Sequence, residues 1–275
     1  MVNNYLFSIL LPTYNSSIFL DELLLSLSKQ NLKSFIIITY DDLSNDDTIA
    51  RFSSLCKFYK LRYKRINTVN EKLGPKFAYE KLIVSSETPY IVFCDHDDYW
   101  LPEKLEMHLK HFKRIQNKPA LSIVNANVAK ANLIEENYSI FDYLNLNPKY
   151  FSNRFSMALE NKVPGICMAF NNELKNHIMP FNENIIMHDW WVLLVSKAVN
   201  AEIFISDKTC LLYRQHDKNT IGLNKKKNGL NLERISCLLK SAKYQSKMVY
   251  ASKVFNLFEF ILFLILRLCL AIKNL

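Results

Sequence analysis

The chain has 275 residues, 49% hydrophobic and 22% charged, which excludes a disordered chain, and its four glycines leave little room for a Gly-rich phosphate loop. A formal charge of +9 favours anionic partners: nucleic acid, anionic lipid or phosphorylated ligands. Six cysteines without a CxxC pair read as reduced, mostly buried thiols of a cytosolic protein.

The apolar run 6–11 stops at Pro12 and reads as a buried strand, not a signal peptide, because no basic region precedes it and no cleavage site follows. Phe19, Leu23, Leu24 and Leu27 have helical spacing within 16–30. A second strand is expected at 35–40, a helix at 46–58 with Asp46 as a cap, and a third strand at 61–66. Pro75 opens a helix over 75–85, a strand follows at 90–94, Pro102 leads a helix to 115, and 121–128 is a further strand. Strands alternating with helices predict an α/β fold with a mainly parallel, Rossmann-like sheet. The segment 132–161 lacks clean periodicity. Strands are expected at 163–170, 202–205 and 210–213, with a helix at 188–199. The basic run 225–227 reads as a solvated loop.

In open α/β sheets ligands bind beyond the carboxyl ends of the strands. Three such ends are unusual: "PTYN" at 12–15, "DDLSNDD" at 41–47 and "DHDD" at 95–98. Oxygen-rich clusters suit a hard cation, Mg2+ or Mn2+. The alternative is a solvated acidic loop, with Asp98 capping the helix that follows. Tyr14 stacks on a base or simply packs. In "MHDWWVLL", 187–194, Asp189 is either a helix N-cap or a general base raised towards neutrality by aromatic walls. Trp190 and Trp191 either face a sugar or fill the core. In "LLYRQHDKN", 211–219, alternation puts Arg214 and His216 on one side, where an Arg can grip a diphosphate and a His can complete a cation's coordination.

Taken together, "DHDDYWLPEKLE", "MHDWW" and "LLYRQHDKNTIG" resemble the family 2 glycosyltransferases with the GT-A fold, in their bacterial rhamnosyltransferase-like branch, over most of 7–222. The resemblance implies that Pro12, Thr13 and Tyr14 hold base and ribose. Asp42 would accept a hydrogen bond from a pyrimidine, with Asp41 beside it. Asp95, with His96 in the same loop, would contact the donor, and Asp97 would ligate the metal with His216 close by. Asp189 would be the catalytic base, with Trp190 and Trp191 towards the acceptor. Two departures stand out: Leu43 replaces the usual Gly, and "LGPKFAYEKL" carries Ala78 where Asn is common, with Lys76 as a substitute phosphate contact.

The implied activity is inverting, metal-dependent transfer of rhamnose or a hexose from a UDP- or dTDP-sugar to a glycan or lipid-linked glycan, in bacterial surface polysaccharide synthesis (lipopolysaccharide, O-antigen or capsule). The expected division is a catalytic domain at 1–222, split into a nucleotide-sugar half (1–130) and an acceptor half (131–222), then a basic, apolar helical extension at 223–275. The run 254–272, preceded by Lys240, Lys243, Lys247 and Lys253, reads as a helix either seated peripherally on the inner face of the plasma membrane or packed on the domain or a second subunit. Two rivals are a sugar nucleotidyltransferase, for which "LPTYNSS" is the wrong phosphate loop, and a nucleic-acid-binding protein, which the acidic clusters disfavour.

Overall fold

The computed structural model describes residues 5–66, 71–217 and 232–273, with side chains through 241–270 in the last segment. The basic run 225–227, the expected boundary at 222/223 and the side chains of Cys237 and Lys240 lie outside the described residues. In chain order the elements are β1 (Phe7–Thr13), α1 (Leu20–Ser28), β2 (Phe35–Asp41), α2 (Thr48–Phe58), β3 (Tyr63–Arg65), α3 (Gly74–Ser85), β4 (Tyr90–Phe93), β5 (Tyr99–Trp100), α4 (Lys104–Phe112), β6 (Ala120–Lys130) and β7 (Glu135–Ser139). After them come α5 (Ile140–Tyr143), α6 (Pro148–Ser152), α7 (Arg154–Leu159), β8 (Met168–Asn171), α8 (Asn172–Ile178), α9 (His188–Ala198), β9 (Glu202–Gln215), α10 (Leu232–Ser252) and α11 (Leu257–Lys273).

The strands join in one sheet of order β3-β2-β1-β4-β8-β6-β9-β5, with β7 on β6. β1 pairs in parallel with β2 and β4, and β2 with β3. β1 is buried almost throughout, as a central strand covered by helices must be. On one side α1 seats Leu23, Leu24 and Leu27 of the expected stripe together with Leu20, while the expected Phe19 precedes the helix at its N-cap. The parallel register brings Thr13 opposite Asp41 and Leu10 opposite Phe93, so three carboxyl ends open on one edge.

Beyond β4 the sheet is mixed rather than mainly parallel. β8 runs antiparallel to both β4 and β6, and β6 is parallel to β9. The expected strand 163–170 begins only at Met168, because Pro164 lacks a ladder donor and leads into a tight 3-10 turn, Gly165–Cys167. The two short strands expected at 202–205 and 210–213 are one strand, β9, whose polar middle is absorbed by register shifts against β6. The aperiodic 132–161 segment holds β7 and three short helices started by local caps. Ser139 and Asp142 form a capping box, while Asn147 and Asn153 accept from the first turns of α6 and α7. Asp46 accepts from Thr48 N at 3.0 Å, but the N-cap of α2 is Asp47, so the expected cap is corrected by one residue.

Asn171 pins the antiparallel junction. Its side chain accepts from Ala120 N and Leu174 N and donates to Lys118 O, at 2.9, 3.1 and 2.7 Å. It thus ties β8, the N-cap of α8 and the start of β6 together while nearly buried. Asn171→Ala removes a cap and strands a buried N–H, and should lower unfolding stability by about 2 kcal/mol in urea titration.

Candidate functional site

The opening edge of the sheet gathers the three unusual strand ends. At β1, Thr13 donates to Asp41 Oδ1 at 2.9 Å, and Ser44 closes the turn on both Asp41 oxygens. Pro12 is half-buried beside it. Tyr14 projects into solvent with Lys72 Nζ 3.3 Å from its ring centroid. The buried Asp42 accepts from Leu73 N and Gly74 N, at 2.7 and 2.8 Å. That clamp sets the start of α3, where Gly74 has φ +72°, a conformation that suits glycine. Leu43 also sits at positive φ, 62°, at the position where the resemblance expects Gly.

The "DHDD" loop lies between β4 and β5. Ligating oxygens of Asp95, Asp97 and Asp98 come within 4.8 Å of one another. Tyr79 donates to Asp95 Oδ1 at 2.7 Å and to Cys94 O at 3.0 Å. Asp98 is fully buried and accepts from Arg214 N at 3.1 Å, so it does not cap α4. Burial and the neighbouring Asp97 push the carboxyls of Asp95 and Asp98 up. Asp98 Oδ2 has no hydrogen-bond partner in the structure. A crowded hard-oxygen set with an unsatisfied buried oxygen fits a divalent cation of the Mg2+ or Mn2+ type.

The two-residue β5 fixes this loop against β9 through Tyr99↔Leu212 and Trp100↔Leu211. That pairing brings His216 Nε2 to 2.9 Å from Asp97 Oδ2. His216 stacks on Phe19 with centroids 4.6 Å apart, Arg214 lies over the same ring at 5.1 Å, and His96 lies 6.4 Å from it. Arg214 and His216 therefore share a side, as alternation predicts. The expectation that Arg214 grips a diphosphate is corrected, however. Its buried guanidinium is paired with Glu22 and donates to Ala131 O, so it clamps β9 to α1 and to the β6–β7 turn.

Asp189 sits in the first turn of α9 and is not its N-cap, which is Met187. Its carboxylate accepts from Asn161 Nδ2 at 3.0 Å, Trp190 N at 2.6 Å and Gly165 N at 3.1 Å. Burial raises it to about 7, and Asp95 adds to the rise, which makes it an electrostatic neighbour of the acid loop. A Cβ at Gly165 would come 2.8 Å from His188 Nε2, so the 3-10 turn can approach Asp189 only with glycine there. Lys104, fully buried, donates to Ile166 O at 2.7 Å and holds that same turn.

Trp191 is corrected to a core residue: it is buried, with Nε1 donating to Ile178 O at 2.9 Å. Trp190 is half-buried beside Asp189 and donates to Met157 O at 2.8 Å. Lys76 donates to Ile185 O at 3.0 Å, bridging α3 to the loop before α9. Sequence reasoning missed Tyr79, Phe19, Asn161, Gly165 and Lys104. Of these only Gly165 carried a signal, as one of four glycines and the sequel to a proline.

Residues 8–173 match the family described as Glycosyl transferase family 2. The chain is 28% identical over 229 residues to the dTDP-rhamnosyl transferase RfbG of Shigella flexneri, covering 78% of this chain and 74% of that one. It is 32% identical over 108 residues to the UDP-Glc:alpha-D-GlcNAc-diphosphoundecaprenol beta-1,3-glucosyltransferase WfgD of Escherichia coli, covering 39% of this chain and 41% of that one. A structure of the mannosyltransferase PcManGT from Pyrobaculum calidifontis, in complex with GDP-Man and Mn2+, shares the fold. Its TM-score is 0.61 at 13% identity, over 91% of this chain and 65% of that one.

The raised Asp189 has a consequence for stability. An unfolded Asp titrates near 3.8 and the native one near 7, so between these values the native state holds the extra proton. Its contribution is therefore fully present below about pH 4 and is lost as pH rises through about 7. Urea midpoints at pH 5 and pH 8 should show wild type losing stability relative to Asp189→Asn at the higher pH.

Proposed function

The chain belongs to glycosyl transferase family 2, and from that premise we propose that it is an inverting transferase acting on a nucleotide-diphosphate sugar in bacterial surface polysaccharide synthesis. The observation that carries this reading is the presence of two acid sites joined through Tyr79, which bonds Asp95 and packs on His188 beside Asp189. One is a crowded carboxylate triad beside His216, and the other is a buried carboxylate raised to about 7 by burial, with Asp95 adding to the rise. The names of the rhamnosyl and glucosyl relatives support a dTDP- or UDP-linked donor and a glycan acceptor.

In this scheme residues 1–130 hold the donor. Pro12, Thr13 and Tyr14 flank base and ribose, Asp41 and Asp42 order the turns around them, and Lys76 stands at the rim of α3. Asp95 and His96 face the donor. Asp97 and His216 would hold Mg2+ or Mn2+, which when bound offsets the charge of the leaving diphosphate. Residues 131–217 hold the acceptor, with Trp190 next to Asp189.

Asp189 takes the proton from an acceptor hydroxyl. The freed oxygen forms a bond to the anomeric carbon from the face opposite the diphosphate. The bond from that carbon to the phosphate oxygen breaks, and its electron pair leaves with the diphosphate. The transition state has oxocarbenium character. Three hydrogen bonds orient Asp189, and burial keeps it basic near neutral pH.

Asp189→Asn should keep donor affinity within about threefold and lower kcat by at least ~100-fold, the scale of general-base catalysis. In wild type, kcat should fall as pH drops through about 7, because the base protonates. Near-normal turnover in the variant rules out the assignment. Asp97→Ala should weaken metal-dependent donor binding, read by calorimetric titration with Mn2+.

The C-terminal extension supports a place on an anionic membrane surface. No helix among the described residues is long and apolar enough to cross a membrane. α11 packs inward through Phe263 and through Arg154–Glu259 at 3.1 Å, yet Leu257, Ile261, Ile265 and Leu268 are exposed, and Lys243, Lys247 and Lys253 lie on the surface nearby. Changing those four apolar residues to Ser should reduce partition to phosphatidylglycerol vesicles at least tenfold in sedimentation. Unchanged partition defeats the membrane role.

A further inference from the structure

The C-terminal helices grip α7, a helix of six residues, at both of its ends. At its start, Arg154 pairs with Glu259 at 3.1 Å, and the Phe155 ring lies 4.5 Å from that of Phe255. At its end, the buried Gln245 of α10 donates from Nε2 to Ala158 O and Leu159 O, at 2.7 and 2.9 Å. The carbonyls that close a helix lack partners within it, and Gln245 supplies one to both. The other arm of the amide, Oε1, accepts from Arg267 Nε of α11 at 2.6 Å. That bond is charge-assisted, and it fixes which way the amide points: with Oε1 on the guanidinium, the NH2 must face α7.

The end of α7 leads directly to the base. Just past Leu159 the chain presents Asn161, whose Nδ2 donates to Asp189 Oδ1 at 3.0 Å and whose Oδ1 accepts from Val163 N at 3.3 Å. Met157 O, in the same helix end, accepts from Trp190 Nε1 at 2.8 Å, beside the acid. A connected path therefore runs from α11 to the carboxylate: Arg267, Gln245, the end of α7, Asn161, Asp189. α10 adds a second hold, because Met248 Sδ accepts from Ile186 N at 3.3 Å in the loop that enters α9.

We propose that Arg267 and Gln245 are positioning residues for Asp189, acting through the end of α7 and Asn161. The inference rests on the reading of Asp189 as the base, and it adds the C-terminal helices to the structure that aims it. The Asn161 bond favours the ionised carboxylate and so works against the rise that burial causes. The other ionisable groups facing Asp189 are Asp95, Tyr150, Cys167 and the adjacent His188, and none of these four is on α10 or α11. Losing the hold on α7 should therefore loosen Asn161 and move the titration of Asp189 to higher pH. Gln245→Ala makes this change without altering any charge.

Titration of the full chain by NMR of carboxyl-labelled aspartate tests the path, with the Asp189 signal assigned by its loss in Asp189→Asn. Arg267→Ala, Gln245→Ala and Asn161→Ala should each raise the Asp189 midpoint by about one pH unit, the scale of a lost hydrogen bond to a charged group. Arg267→Ala combined with Asn161→Ala should shift it no further than Asn161→Ala alone. Arg267→Lys, which can still donate to Gln245, should restore the wild-type midpoint. In parallel transfer assays near neutral pH, Arg267→Ala should lower kcat by ~fivefold, as a one-unit shift requires, and leave the donor KM within about twofold. An unmoved midpoint in Arg267→Ala or Gln245→Ala overturns the proposal, and so does a double variant that shifts by the sum of its parts. Shifted midpoints in a chain whose wild type transfers no sugar would support the path and count against the transferase reading.

Discussion

Three carboxylates within 4.8 Å of one another, one of them fully buried, are a standing electrostatic cost at the end of β4. Much of the surrounding structure answers it. Tyr79 hydrogen-bonds Asp95, the Arg214 amide bonds Asp98, and His216 meets Asp97. The fully buried Lys104 lowers the burden on Asp95 and Asp98, and burial in turn brings Lys104 down to about 8. Such crowding persists in a fold where a cation can complete the set.

The second acid site depends on the same scaffold through different contacts. Lys104 reaches the 3-10 turn at Ile166, and the turn's Gly165 amide reaches Asp189. One buried lysine therefore touches the geometry of both acids. The glycine is required because any side chain there meets His188, whose ring is held 4.0 Å from Tyr79 and 4.8 Å from Phe93. Tyr79 closes the loop, since it also holds Asp95. The acid triad and Asp189 are thus set by one connected group of packed residues rather than by two independent loops.

The parallel half of the sheet was legible because its signals are local. Apolar runs ended by Pro12, Asp41 and Asp95 mark strands and their carboxyl ends, and Pro75 marks a helix start. The antiparallel insertion of β8 was not, because strand direction depends on partners distant in the chain. β5 escaped notice because two residues carry no periodicity, yet its pairing with β9 brings Asp97 to His216. Asp189 stood out by its two tryptophans, but only the structure separates them, with Trp191 in the core and Trp190 beside the acid. Arg214 looked available because alternation reports a side and not a partner; Glu22, 192 residues away in sequence, claims it.

The central claim is that the triad and Asp189 act on one sugar from opposite sides. The direct measurement is a crystal structure of the Asp189→Asn chain with a nucleotide-diphosphate sugar and manganese, using anomalous scattering to place the metal. The account predicts a single manganese peak bonded to Asp97 and His216, with the anomeric carbon facing residue 189. Manganese bound elsewhere, or an anomeric carbon turned away from residue 189, would contradict it.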